Sequence, residues 1–416
     1  MQKKVLILGA NPETAVLVET AKKMGVYTIV TDNLPDSYAK KIADAAYNID
    51  GLDVEHLVEL VENEQIDGVM VGTADPLIPA YYEVCKKLGM PCYVTEKSVE
   101  AFTNKKIFKK ICEKFDICGV PEYSLEDILE DKNVKYPILI KPVDGRSGKG
   151  MSVCYSIDEV ESAIEKALEY SRCKEYIIER YMECEDVFMY YTFVDGTYYL
   201  SAMPDRFTSK EQKGVDPVVL GGVYPSKYVE LYMSSLHEKM CKMFDYLEIK
   251  DGVLLIQAFV EDGKFYVYDP GFRLQGGAPH ILIDYINGID QQKMLINFAL
   301  TGKMEINNIA EKNDYLFHGK IAASQVILLK KGIIAKIEGI DEVKKMPQVI
   351  KTTQRLFVGD KVSMIGTEQQ ILVRFHVVCE TRDELYEVVN KINCSIHVED
   401  CNGNELCLQG LQTEWF

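Results

Sequence analysis

Residues 138–151 read ILIKPVDGRSGKGM. An apolar run closes on Lys141 and passes straight into a glycine-rich loop carrying two further basic residues, Arg146 and Lys149. Such a loop presents backbone N–H groups and cationic side chains together, which is what phosphate binding needs. The spacing is not that of a P-loop: counted from Gly145, Gly150 falls in place, but Met151 follows where that pattern requires lysine. The context differs too. A P-loop leads from strand into helix, whereas Pro137–Lys141 and the following MSVCYS both read as β, and helix resumes only at Ser156, in the capping-box pattern Ser156-x-x-Glu159. The stretch predicts a flap between two strands that holds phosphate without a helix dipole.

Upstream, the first hundred residues alternate strand and helix: KKVLILGA, PETAVLVETAKKMG, VYTIVTD, AYNID, VEHLVELVENEQ, IDGVMVG, PLIPAYYEVCKKLG and a closing strand PCYVT. That rhythm predicts parallel strands with helices on both faces. The turn GANPET holds one glycine of a dinucleotide fingerprint, and Asp32 ends the second strand; one glycine and one acid are weak evidence for NAD. From Thr103, TNKKIFKKICEKFDI predicts an amphipathic helix with Ile107, Ile111 and Phe115 on one face and lysines on the other. Downstream of the flap come a dense β region to about Phe207, a long helix over roughly 227–247, and the strands GVLLIQAFVED and KFYVYDPGF joined at Asp262-Gly263. Beyond a polar stretch near 307–314 the chain reads as a separate β-rich module with one capped helix, 381–393.

The 416 residues suffice for two to four domains. At 47% hydrophobic and 27% charged the composition is that of an ordinary globular protein. A formal net charge of −17 argues against nucleic-acid or anionic-membrane partners, so an anionic ligand must be met by local lysines and arginines. No run approaches the roughly 18 apolar residues of a membrane span, and MQKKVLILGA begins a strand without a secretory h-region, which points to a cytoplasmic protein. Twelve cysteines include no C-x-x-C pair; Cys394, Cys401 and Cys407 around His397 read as free thiols rather than a zinc site.

Four features follow in order: Asn104-Lys105 opening a helix, Lys141 with its flap, Glu179-Arg180-Tyr181-Met182 followed by Glu185-Asp186, and Gln257 with Asp269, Arg273 and Gly276-Gly277. Each alone has a bland reading as solvated charge or turn. In this order they resemble the ATP-grasp superfamily over roughly residues 1–305. The resemblance implies an α/β and α+β multidomain protein: a Rossmann-like domain at 1–102, a two-lobed ATP-grasp domain at 103–305 (lobes about 103–178 and 179–305), and a β-rich C-terminal domain at 306–416. It implies that Lys105 and Lys141 contact the ATP phosphates and that Gly145, Arg146, Ser147, Gly148, Lys149 and Gly150 form the flap over them. Glu179 to Met182 would read adenine through backbone groups, and Asp186 would hold ribose hydroxyls. Gln257 and Asp269 resemble the magnesium ligands of the carbamoyl-phosphate synthetase branch, with manganese as an alternative. Arg273 would bind a transferred phosphoryl or acyl-phosphate oxygen, sharing the catalytic role with Lys141. Family members carry E-x-N-P-R where this chain has Asp269-Pro270-Gly271-Phe272-Arg273, which removes an oxygen ligand at Gly271; Asp284 or a water is a candidate replacement.

The set is physically coherent, since phosphoryl transfer asks for positioning and charge neutralisation rather than a nucleophilic side chain. The tail GIIAKIEGIDEVKKMPQVIKTTQRLFVGDKV, with ILVRFHVVCE and TRDELYEVVNKI, resembles the C-terminal domain of L-amino-acid ligases. The implied activity is an ATP-dependent carboxylate–amine ligase working through an acyl phosphate on an amino acid or other small acid. The alternatives are bicarbonate activation of the biotin-carboxylase or carbamoyl-phosphate-synthetase kind, and a nucleotide-binding protein without ligase activity. Arg206 and His280, the latter beside Gly276-Gly277, are candidates for the substrate carboxylate. The expected partners are a small carboxylic acid and an amine, without nucleic acid or membrane; a homodimer stays open.

Overall fold

The computed structural model describes residues 2–130, 132–145, 150–209 and 217–416, with Gln409 by its backbone alone. The alternating N-terminal pattern yields four parallel strands: β1 (Lys4–Leu8), β2 (Tyr27–Thr31), β3 (Ala45–Tyr47) and β4 (Gly68–Val71), in the order β3-β2-β1-β4. β1, β2 and β4 are almost wholly buried, as parallel strands covered on both faces must be. The expected closing strand PCYVT does not form. Its Tyr93 instead enters an aromatic cluster with Tyr81, Phe272 and Phe298, so side-chain packing replaces strand pairing there.

A second four-stranded sheet, β5 (Glu122–Tyr123), β6 (Ile138–Pro142), β7 (Ser152–Cys154) and β8 (Tyr176–Arg180), runs in the order β5-β8-β6-β7. With helix Val160–Tyr170 it encloses its own core of Ile138, Ile140, Cys154, Val160, Ala163, Ala167 and Ile178. β8 carries this sheet through Arg180, two residues beyond the expected lobe boundary. The strand–flap–strand reading holds at β6 and β7; residues 146–149 of the flap lie outside the described residues. At the helix that follows, Ser156 makes no side-chain cap, and Glu159 Oε2 accepts from the Tyr155 N–H at 2.6 Å, one residue before the N-cap, so the expected capping box is replaced by this shifted contact.

The largest sheet has ten strands. Its order is β14 (Lys264–Gly271), β13 (Gly252–Glu261), β9 (Glu185–Val194), β11 (Asp205–Thr208), β12 (Val219–Tyr224), β15 (Ile321–Leu329), then the strands Ile371–Cys379 and Val349–Gln354. β10 (Thr197–Ala202) pairs with β9, and Cys407–Gln409 pairs with β15. The tail is therefore no separate sheet: β15 hydrogen-bonds to β12 from Gly221↔Gln325 to Tyr224↔Ala322. Close approach at Gly221 accompanies this seam, since a Cβ there would stand 2.0 Å from the Ser324 carbonyl oxygen. The other face of the tail packs Val373, Phe375 and Val377 on Leu385, Val389 and Ile392 of helix Arg382–Ser395. One further core runs unbroken from Val5 and Ile7 through Phe108 and Tyr191 to Phe317, so the expected break near residue 102 is not a break in packing. The expected long helix is two, Val229–Ser235 and His237–Tyr246, divided where Leu236 leaves helical geometry.

Candidate active site

Asn104 caps helix Lys105–Lys114, accepting from the Lys106 and Ile107 N–H groups at 3.0 and 3.2 Å. Lys105 is thereby held in the first turn, where its Nζ donates to the Gly145 carbonyl at 2.9 Å and stands 3.5 Å from Asp269 Oδ1. One turn on, Lys109 is buried and ion-paired to Glu179 and Glu122. The expected lysine-out face is thus only partly outward: the helix buries Phe108, Lys109 and Cys112, and Ile107, Ile111 and Phe115 are half-buried. Lysine is tolerated inside because two carboxylates meet it there. Lys141, next to last in β6, lies 2.5 Å from the second Glu179 oxygen. Burial opposes the charge of Glu179, but Lys141 and Lys109 outweigh it and hold the carboxyl below its ordinary range.

Glu179 was expected to serve adenine through its backbone. Its backbone is instead in sheet register with Glu122 on one side and Leu139 on the other, so what it offers is a buried carboxylate. The Arg180 and Tyr181 N–H groups donate to the Pro121 and Pro137 carbonyls at 2.9 and 3.1 Å. The Arg180 guanidinium forks onto Glu261 of β13, one arm at 2.9 Å, and so ties the small sheet to the large one. Met182, buried, follows this clamp.

Gln257 and Asp269 are cross-strand partners on β13 and β14, with Gln257 Nε2 donating to Asp269 Oδ2 at 3.1 Å. The register slips next to them: Ala258 pairs with Val267, leaving Tyr268 as an unpaired bulge residue. A bulge re-aims side chains, and here the Tyr268 hydroxyl lies 3.0 Å from Gln257 Oε1 and 3.2 Å from Asp186 Oδ2. Asp186, expected at ribose, is buried and ion-paired to Arg206, its register partner on β11. Burial pushes its carboxyl up while Arg206 and Tyr268 pull it down. Arg206 also lies over the Phe188 ring at 5.0 Å. The arginine expected to take a substrate carboxylate therefore already holds one.

Gln257 turns its nitrogen to Asp269 and its oxygen to Tyr268 here, but a carboxylate beside a carboxamide is a donor set that suits a hard cation keeping most of its shell as water and phosphate, the habit of magnesium. Among the described residues no cluster of three or more His, Cys, Asp or Glu side chains forms a cage. Gly271 adds no oxygen, and the carboxamide of Gln275 stands 3.1 Å from where its Cβ would be, donating to the Gly271 and Arg273 carbonyls at 3.0 and 2.9 Å. Asp284, the suggested replacement, answers instead to Asp290, Lys293 and Lys312, and burial raises its carboxyl.

Arg273 is ion-paired to Asp75, in the loop after β4, and donates to the Leu274 carbonyl and Gln275 Oε1 at 2.8 and 2.7 Å. Gly276 and Gly277 border open space, with nothing within 4 Å of either missing Cβ. His280 opens helix His280–Asn287 with its Nδ1 unpartnered among the described residues; burial pushes the ring down to about 4 despite Asp290, and Arg374 adds to the push. Above this loop lie two residues that sequence reading passed over, Arg374 and His376 on strand Ile371–Cys379. The alternation RFH inside an apolar strand was their only signal. Lys109, Glu122, Tyr268 and Asp75 were missed as well: Lys109 was signalled by its i+4 spacing from Lys105, and Tyr268 by adjacency to Asp269.

A small lobe and a large sheet closing on a lysine-lined cleft define the ATP-grasp fold. Residues 121–191 match the family model D-ala D-ala ligase C-terminus. The chain is 23% identical over 378 residues to the carbamoyl phosphate synthase large chain, C-terminal section, of Methanocaldococcus jannaschii, covering 82% of this chain and 59% of that one. The chain thus spans less than two thirds of this curated relative. The L-amino acid ligase of Bacillus licheniformis superposes with a TM-score of 0.80 at 17% identity over 96% of this chain and 99% of the other. The biotin carboxylase domain of the Hydrogenobacter thermophilus 2-oxoglutarate carboxylase, solved with MgADP, ADP and bicarbonate, superposes at 0.77 with 16% identity, over 98% and 91% of the two chains. Among the described residues no helix is long and apolar enough to cross a membrane.

Proposed function

We propose that this chain is an ATP-dependent carboxylate–amine ligase that forms a C–N bond through an acyl phosphate, acting on an amino acid or other small carboxylic acid. The observation that carries the reading is Lys105, whose Nζ reaches both the Gly145 carbonyl at the flap and Asp269 of the cross-strand pair. One side chain thus joins the phosphate loop to the cation ligands, the arrangement that transfer of a terminal phosphoryl requires. In this reading Lys105 and Lys141 neutralise phosphate oxygens, and Arg146, Ser147, Gly148 and Lys149, outside the described residues, cover them between Gly145 and Gly150. Asp269 and Gln257 would hold magnesium, which when bound offsets phosphate charge. Arg273, oriented by Asp75, would face the acyl-phosphate oxygen. Residues 1–102 supply the Asp75 loop, 103–305 the nucleotide cleft, and 306–416 complete the sheet beneath the substrate.

The carboxylate must be ionised to attack phosphorus; the amine must then be neutral to attack the acyl carbon and expel phosphate. The test is ADP release from ATP and magnesium with pools of amino acids and small acids, with and without an amine. Release dependent on both acid and amine supports the ligase. Release with bicarbonate alone would transfer the reading to carboxylate activation of the biotin-carboxylase kind. Tight ATP binding without release under any pool would make the chain a nucleotide-binding protein, with Gly271 and its covering Gln275 as the reason.

A further inference from the structure

Of the four arginines Arg206, Arg273, Arg355 and Arg374, three have a carboxylate partner. Arg206 has Asp186, Arg273 has Asp75, and Arg355 has Glu13 and Glu368. Arg374 has none among the described residues; its one hydrogen bond there is from a guanidinium arm to the Gly276 carbonyl. It is nonetheless 8% exposed, and burial together with the nearby Arg355 charge works against its cationic form. A buried guanidinium presents five donors and is not deprotonated in proteins, so leaving it without an anion costs several kcal/mol. Glu368 and Glu13 favour its charge only from a distance, since both are ion-paired to Arg355. His376, two residues on and so on the same face, is driven neutral by burial and by Arg374 itself, and among the described residues its ring lies against the Gly277 and Ala278 backbone without a well-formed hydrogen bond. Across the strand pairing stand Val326 and Ser324, opposite Arg374 and His376. The loop that meets them, through the Gly276 carbonyl and the Gly277–Ala278 backbone, leaves nothing within 4 Å of where a Cβ would stand on Gly276 or Gly277.

We infer that Arg374, with His376 as a neutral hydrogen-bonding neighbour, anchors a carboxylate of the substrate in the open space over Gly276–Gly277; as a substrate role this rests on the ligase reading. The strand bearing Arg374 lies five places from β13 in the sheet order, so the group held is an anchoring carboxylate and not the one phosphorylated beside Gln257 and Asp269. The substrate class is accordingly one that keeps a free carboxylate through the reaction, such as an amino acid offering its amine or a dicarboxylic acid. Arg374 is a specificity-determining residue in this scheme: the guanidinium fork matches the two carboxylate oxygens, and the Gly276 carbonyl fixes its plane.

The test uses the full chain without nucleotide, so that it stands apart from whether ADP is released. Thermal midpoints are compared in about 100 mM sodium acetate, sodium phosphate and sodium chloride at matched ionic strength and pH. Acetate is expected to raise the midpoint of the unaltered chain by about 1 °C or more over chloride. Arg374→Met is expected to abolish that rise, and Arg374→Lys, which keeps the charge but not the fork, to reduce it. If Arg374→Met does not fold, Arg374→Lys carries the comparison. An equal acetate rise in the variants, no rise in the unaltered chain, or a rise with phosphate alone would each overturn the carboxylate site. In the turnover assay Arg374→Lys should raise KM for the carboxylate-bearing substrate about tenfold with much less effect on kcat, a split that a purely structural residue would not produce.

Discussion

Glu179 keeps its charge where burial alone would neutralise it, because Lys109 and Lys141 occupy its two oxygens. Glu179→Gln leaves the buried Lys141 without a counter-charge and Lys109 with Glu122 alone, and should lower stability by about 3 kcal/mol at neutral pH, read as a fall in the thermal midpoint. Its folded pKa is depressed, so its contribution is present above the ordinary carboxyl range of about 4.3 and is lost as pH falls through the folded value. The unaltered chain should therefore lose more stability on acidification below about pH 4.3 than the variant does; equal midpoints at pH 7 would mean that the lysines find water instead. His376 works in a higher window. Its folded pKa of about 3 lies below the unfolded value of about 6.5, so between these limits only the unfolded chain takes up a proton. Stability should fall by about 1.4 kcal/mol per pH unit on this account as pH drops from about 6.5. His376→Leu removes the contribution, and urea midpoints measured from pH 7 to 4.5 should decline less steeply in the variant. Parallel slopes would show that the ring is hydrated and titrates normally.

At the scale of elements the β13–β14 hairpin does most to shape the site. The bulge at Tyr268 brings one hydroxyl to both Gln257 and Asp186, so the cation ligands and the Asp186–Arg206 pair share a brace. Tyr268→Phe should leave the sheet intact, free the Gln257 carboxamide to rotate, and raise the magnesium concentration for half-maximal ADP release about tenfold, as loss of a partner to a metal ligand commonly does. An unchanged magnesium requirement would place the cation elsewhere. The hairpin was readable from the two-residue turn at Asp262-Gly263, but that turn alone sets Gln257 opposite Tyr268; Gln257 and Asp269 were named from their resemblance to magnesium ligands, and the bulge is what brings them face to face. The bulge was not readable, since nothing local distinguishes Tyr268 from an ordinary strand residue. The N-terminal strands were legible from their continuous apolar runs, while PCYVT looked like one more until Tyr93 found aromatic partners 179 residues away at Phe272. Lys109 was misjudged for the same reason: its partners, Glu122 and Glu179, lie in other elements, and helical periodicity knows only its own helix.

For the whole molecule, the relevant links are those that join the N-terminal sheet to the rest. Asp75 follows β4 at the carboxyl end of the parallel strands, where open α/β sheets present their loops to ligands, and it grips Arg273 beyond β14. Glu13, in the first turn of helix Pro12–Lys23, grips Arg355 just past strand Val349–Gln354. A loop and a helix start from one domain thus brace two arginines contributed by opposite ends of the ten-stranded sheet, and the continuous core from Val5 to Phe317 keeps the spacing. The sequence could show neither link, because each joins residues about 200 or more positions apart. Asp75 is the more telling of the two. It touches no expected nucleotide ligand, so Asp75→Asn should leave ATP affinity within about twofold, whereas Arg273, released from its partner but still held by Leu274 and Gln275, should lose its aim. A drop of about tenfold or more in acid-dependent ADP release with ATP binding preserved would identify Asp75 as the residue that positions Arg273. Full activity in Asp75→Asn would mean that the Gln275 brace alone orients the guanidinium. Loss of ATP binding would instead make the N-terminal loop part of the nucleotide cleft, and would move the boundary between nucleotide and acyl sites across Arg273.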